Sequence, residues 1–134
     1  MLSARLKAIV EALPLKAGLR VLEIGCGTGA AAREVAARIG TGYVLGIDRS
    51  ARAIAQATAL GGERLSFRAV AVEDFELDAD EAPFDLAFAV RVGALDGRHP
   101  ELETLARQRI RDALTPRGRL FIDGGDPLRE IRLR

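Results

Sequence analysis

The chain has 134 residues and a mass of 14.4 kDa, with 49% hydrophobic and 29% charged residues, which predicts one globular domain over residues 1–134 built on a single core. Its net charge of +1 gives no electrostatic footing for a nucleic-acid or membrane partner. One Cys and one His exclude a disulfide framework and leave no Cys/His metal centre, so no metal is expected.

No apolar run reaches the ~18 residues of a membrane span, and the opening MLSARLKAIVEAL carries charges inside its apolar stripe, unlike a secretory leader. A reducing, cytoplasmic setting is expected. Residues 2–13 set Leu2, Leu6, Ile9, Val10 and Leu13 at helical spacing, ended by Pro14. RVLEI (20–24) reads as a buried strand running into a glycine-rich turn, and residues 28–39 return to helical period with Ala31, Val35 and Ile39. YVLGI (43–47) is a second strand, followed by Asp48. Ser50 supplies a cap for an Ala-rich helix through Leu60, which Gly61-Gly62 ends. LSFRAV (65–70) is a third strand. The run from Glu73 to Glu81 holds six carboxylates in nine residues and reads as a solvated loop with only Glu73 and Asp74 near a site. FDLAFAV (84–90) is almost unbroken in apolar character, as a strand buried on both faces requires. Residues 101–114 set Leu102, Leu105, Ala106, Ile110, Ala113 and Leu114 on one helical face. RLFID (119–123) is a fifth strand; beyond the turn Gly124-Gly125-Asp126-Pro127, LREIRL (128–133) folds back as an antiparallel sixth.

Strand–helix alternation of this kind predicts an α/β fold with an open, doubly wound, mostly parallel sheet. Such sheets bind ligands at the carboxyl ends of their strands. The segments Gly25–Gly29, Asp48-Arg49, Ala71–Asp74, Arg91–His99 and Gly124–Asp126 should therefore line one crevice. The strongest local signal is Glu23-Ile24-Gly25-Cys26-Gly27-Thr28-Gly29. Its glycines permit a sharp turn and a close ligand approach, and the helix that follows offers free N–H groups. Gly25-x-Gly27-x-x-Ala30 also fits the dinucleotide fingerprint. Glu23 separates the readings, since it would repel a pyrophosphate and favour a ligand with positive charge. Cys26, with no base near it in sequence, reads as packing beside the ligand rather than as a nucleophile.

VLEIGCGTG followed by GIDRS resembles the first two motifs of the class I S-adenosylmethionine-dependent methyltransferases. FDLAFAV and LTPRGRLFID resemble that family's fourth- and fifth-strand segments, so the likeness covers residues 2–123. It implies a Rossmann-like methyltransferase fold, S-adenosylmethionine as cofactor, and methyl transfer to a small-molecule acceptor. Gly25, Gly27 and Gly29 would line the methionine part with Cys26 beside it, and Glu23 would hold the amino group. Asp48 would take both ribose hydroxyls, and Arg49 would stack on adenine. Val72 and Glu73 stand where the family commonly reads Ala-Glu, and Val90 ends the fourth strand beside the cofactor. Ala71 departs from the pattern, replacing a frequent Asp that contacts the adenine amine. The Asn-Pro-Pro-aromatic motif of relatives that methylate adenine or glutamine is missing; Ala89-Val90-Arg91-Val92 stands there.

No catalytic residue is marked. The candidates are Arg91, Asp96 and His99, after the fourth strand. His99 has the chemistry to deprotonate a hydroxyl near neutral pH, and reads equally as a structural residue before Pro100. Asp96 and Arg98 read equally as turn residues around Gly97. Family members usually add two strands after the fifth, where this chain has one. The bare edge predicts a homodimer, and the acceptor is expected to be small or held partly by a partner subunit. Two other readings stand beside this one: a non-catalytic S-adenosylmethionine-binding module or subunit of a larger enzyme, and an NAD(P)-dependent oxidoreductase, against which Glu23 and the chain length both argue.

Overall fold

Strands and helices alternate as the periodicities predict. The computed structural model describes residues 2–133. In chain order it contains α1 (Ala4–Ala12), β1 (Arg20–Ile24), α2 (Ala30–Arg38), β2 (Tyr43–Asp48), α3 (Ala51–Leu60), β3 (Leu65–Ala69), a 3-10 turn (Val72–Asp74), β4 (Phe84–Ala89), α4 (Pro100–Ala113), β5 (Leu114–Asp123) and β6 (Leu128–Ile131). The strands form one sheet in the order β3-β2-β1-β4-β5-β6. The first five are parallel, and β6 runs antiparallel to β5. Strand order reverses between β1 and β4, which opens a crevice at their carboxyl ends.

Alternate residues of the central strands feed two apolar clusters. Leu22, Ile24, Leu45, Ile47, Ala87 and Leu120 pack with Ala106, Ile110 and Ala113 of α4. Val21, Val44, Leu86, Phe88 and Phe121 pack with Val10 and Leu13 at the end of α1 and with Ala31, Ala32 and Val35 of α2. β1 and β4 are thus covered on both faces, as their unbroken apolar character demands. Capping follows the sequence closely: Ser50 Oγ accepts from Ala53 N–H at 3.1 Å and Gly61 ends α3. Ser3 Oγ accepts from Leu6 N–H, so α1 starts after it and Leu2 lies outside the helix.

Three expectations are corrected. Leu105 is 40% exposed, because it sits about 100° around the helix from Ala106; the buried stripe of α4 is Ala106, Ile110 and Ala113. β5 begins at Leu114 rather than Arg119, and Thr115-Pro116-Arg117-Gly118 is absorbed in a register shift opposite Phe84 and Leu86. A strand tolerates Pro and Gly at such irregularities. The acidic run is more than a solvated loop. Phe75 is sunk in the core, and Glu81 accepts two hydrogen bonds from the Arg68 guanidinium, the shorter 2.9 Å.

Candidate functional site

β1 carries the site's most unusual group. Glu23 lies in the middle of the sheet, in register with Gly46 on one side and Phe88 on the other. Only 3% of it is exposed, and its Oε1 has no hydrogen-bond partner. Burial pushes its carboxyl up to about 8; the Ala32 backbone amide pulls the other way, and the negative charge of Asp48 pushes it further up. Beyond β1 the chain turns sharply and is tied to β2, with Gly25 and Cys26 donating N–H to Ile47 O at 2.8 and 3.0 Å. Gly25 has φ +70°, and a Cβ there would lie 2.7 Å from Val92 Cγ2. Asp48 clamps the same turn: its Oδ2 accepts from Gly27 N–H and its Oδ1 from Ser50 N–H, both at 2.9 Å. Each oxygen keeps lone-pair capacity for a further donor. Burial pushes the Cys26 thiol up to about 12, which keeps it protonated and agrees with a packing role.

Two adjoining cavities open on this turn. One, of about 290 Å³, has Asp48, Arg49, Ala71, Val72 and Glu73 on one wall and Arg91, Gly93, Arg98, His99 and Leu102 on the other. The second, of about 360 Å³, is lined by Glu23, Cys26, Gly27, Thr28 and Val90, and by Ser3, Arg5 and Leu6 from the start of α1. Gly25 and Arg91 line both. Four of the five expected segments therefore meet at the crevice. Residues 124–126, Asp74 and Gly29 line neither cavity. Gly29 is instead the N-cap of α2.

The comparisons with known proteins agree with this geometry. The methyltransferase domain family matches residues 21–118. The chain belongs to that family. Among solved structures, an S-adenosylmethionine-dependent methyltransferase from Mesorhizobium loti superposes with a TM-score of 0.70 at 27% identity, over 90% of this chain and 53% of that one. The N-methyltransferase NodS from Bradyrhizobium japonicum gives 0.64 at 25% identity, over 79% of this chain and 57% of that one. The [4+2]-cyclase SpnF gives 0.71 at 28% identity, over 87% and 42%. The chain thus spans about half the length of the solved structures it matches. No curated protein sequence matches it.

Within this methyltransferase domain the residues after β4 divide sharply. Asp96 lines neither cavity, and its carboxylate accepts from Arg98 Nε at 2.9 and 3.1 Å. His99 precedes α4, its side chain 57% exposed and its Nδ1 3.8 Å from Glu101 Oε1. Its ring lies over Gly93, where a Cβ would come within 2.3 Å of His99 Cδ2. Arg91 has φ +58°, and its N–H donates to Asp123 Oδ1 at 3.0 Å. Asp123 also pairs with Arg5 of α1 at 2.6 Å. Sequence reading did not find Arg5 or Asp123. Their pairing bridges 118 residues of chain, and no local spacing announces it. Among the described residues no group of His, Cys, Asp and Glu is arranged to hold a metal, and no helix is long and apolar enough to cross a membrane.

Proposed function

We propose that this domain binds S-adenosylmethionine across the two cavities and transfers its methyl group to a small acceptor. One observation carries the reading: a buried Glu23 carboxyl whose Oε1 has no hydrogen-bond partner, on the wall of a cavity floored by a glycine turn. Such a group gains most from a cationic donor, and the cofactor's ammonium is one. The rest of the site fits as well. Asp48 has acceptor capacity facing the first cavity for two vicinal hydroxyls, Arg49 offers a planar face to adenine, and Val72, Glu73 and Val90 line the walls. The Gly27 and Gly29 segment supplies the turn, and Cys26 packs beneath it.

Glu23, Asp48 and the glycine turn would hold the cofactor, which would supply an electrophilic methyl on a sulfonium sulfur for bonding to an acceptor lone pair, with the neutral thioether as leaving group. The chain's own share is to align the two partners, which can account for much of an acceleration of this kind. Arg91 and His99 border the acceptor space, and His99 is positioned at its mouth to receive a proton that a hydroxyl or amine releases. The free, buried thiol of Cys26 suits a cytoplasmic setting, and the outer edge of β6 suits pairing in a homodimer.

Thermal shift and calorimetry test the reading. S-Adenosylmethionine and S-adenosylhomocysteine should stabilise the protein, by about 2.7 kcal/mol at 100 times the dissociation constant, and NAD and NADP should not. Stabilisation by NAD alone would overturn it. Transfer is read separately, as S-adenosylhomocysteine released in the presence of acceptor; tight binding with no release across a broad acceptor screen would replace the enzyme with a binding module.

A further inference from the structure

The first cavity is divided by charge, and the division bears on which acceptor the site takes; the argument rests on the cofactor reading above. Its carboxylates, Asp48 and Glu73, come from the end of β2 and the turn after β3. Two cations, Arg91 and Arg98, come from the opposite wall, between β4 and α4, with the imidazole of His99 beside them. Arg49 alone lies on the acidic side. If a nucleoside occupies the acidic wall, the space left for an acceptor faces the cationic one.

Both arginines are exposed, and each is held by a specific contact, Arg98 through its side chain and Arg91 through its backbone. Arg98 is fixed by Asp96 and by its own donation to Arg91 O at 2.6 Å. Arg91 makes no side-chain hydrogen bond or ion pair among the described residues. Its backbone nevertheless sits in the left-handed region, at φ +58°, which a long side chain seldom adopts. The hydrogen bond from Arg91 N–H to Asp123 holds it there. Strain of this kind persists where surrounding structure enforces it, and it clusters at ligand sites. Here it fixes the backbone of Arg91, a residue that lines both cavities and whose guanidinium has no partner among the described residues.

We propose that the acceptor carries an oxyanion, a carboxylate or a phosphate, bound by Arg91 with Arg98 and His99 beside it. A guanidinium meets either group through two parallel N–H donations. A neutral acceptor of the same shape leaves Arg91 without a partner and binds less well.

The test titrates benzoate, phenyl phosphate and neutral benzamide into the full chain, with and without saturating S-adenosylhomocysteine, by calorimetry and by amide NMR shifts at Gly93, Arg98 and His99. At least one anion should bind and move those amides, with benzamide about tenfold weaker; which anion binds tighter names the group. Arg91→Gln should weaken the anion about tenfold while S-adenosylhomocysteine affinity stays within about twofold. Arg91→Gly removes the same guanidinium and relieves the left-handed backbone, so it reports even if the Gln variant misfolds. Equal binding of all three probes, or anion binding indifferent to both variants, overturns the proposal. So does a loss confined to S-adenosylhomocysteine, which would assign Arg91 to the cofactor's own carboxylate. If S-adenosylhomocysteine fails to bind the wild-type chain, the cofactor reading falls, and the anion titration of the free chain still decides the oxyanion site.

Discussion

Burying a carboxyl in a parallel sheet with one oxygen unpaired and no cation beside it makes its ionisation costly, and Glu23 is such a carboxyl. Its pKa rises from 4.5 to about 8 on folding. Between those values the folded chain keeps a proton that the unfolded chain releases, so stability falls as pH rises through that window and levels off above about 8. Glu23→Gln should flatten this slope and be more stable than wild type at pH 8 by about 1–3 kcal/mol. Denaturant melts from pH 5 to 9 read both effects; parallel curves for the two proteins would mean Glu23 is ionised at little cost. Asp48 works differently, because its oxygens are engaged before any ligand arrives. Asp48→Ala should cost about 1–2 kcal/mol of stability through the lost Gly27 and Ser50 bonds. It should also weaken S-adenosylhomocysteine by about 2–3 kcal/mol, as expected for a charged hydrogen-bond partner. Calorimetry on the folded variant with unchanged affinity would remove Asp48 from ribose recognition.

At the scale of elements, β2 carries a constraint that its sequence half conceals. Gly46 stands mid-strand, where a Cβ would lie 2.8 Å from Phe67 Cδ1 and 2.9 Å from Cys26 Sγ. Gly46→Ala should therefore cost about 1–3 kcal/mol by overpacking, and adding Phe67→Leu should recover part of it; urea melts showing a neutral Gly46→Ala would mean β3 gives way freely. This residue illustrates what a sequence conveys. The cap at Ser50, the turn after Ile24 and the twice-buried β4 were legible because each is decided by neighbours within a few positions. The vacancy at Gly46 is filled from β3 and from the turn after β1, so nothing beside it in the chain records the reason. The same holds at the site. That Glu23, Asp48, Gly25 and Gly27 meet at the crevice was legible from local motif; the placement of Ser3, Arg5 and Leu6, around the start of α1, against the second cavity was not, because it depends on Arg5 meeting Asp123 from the other end of the chain. β5 was foreshortened for a related reason: Pro116 and Gly118 signal a break, and pairing with β4 overrides it through a bulge.

Across the whole molecule, the sheet leaves β6 with one neighbour, and Arg129 within it and Arg132 just past it are exposed. If two copies pair there, sedimentation at micromolar concentration should show a species of twice 14.4 kDa, strengthened by salt that screens the arginines. A 14.4 kDa species throughout would mean those charges keep the edge single. The crevice has a consequence of its own. Because Gly25 and Arg91 line both cavities while their other walls differ, the proposed cofactor mode would lodge the two halves of one ligand in separate chambers. Adenosine and L-homocysteine should then bind at the same time, each nearly indifferent to the other. Their covalent union converts the second contact into an intramolecular one, and S-adenosylhomocysteine should outbind either half by about 100-fold or more. Titrating adenosine into homocysteine-saturated protein reads this directly: an unchanged affinity means two chambers joined by a saddle, and mutual exclusion means a single room.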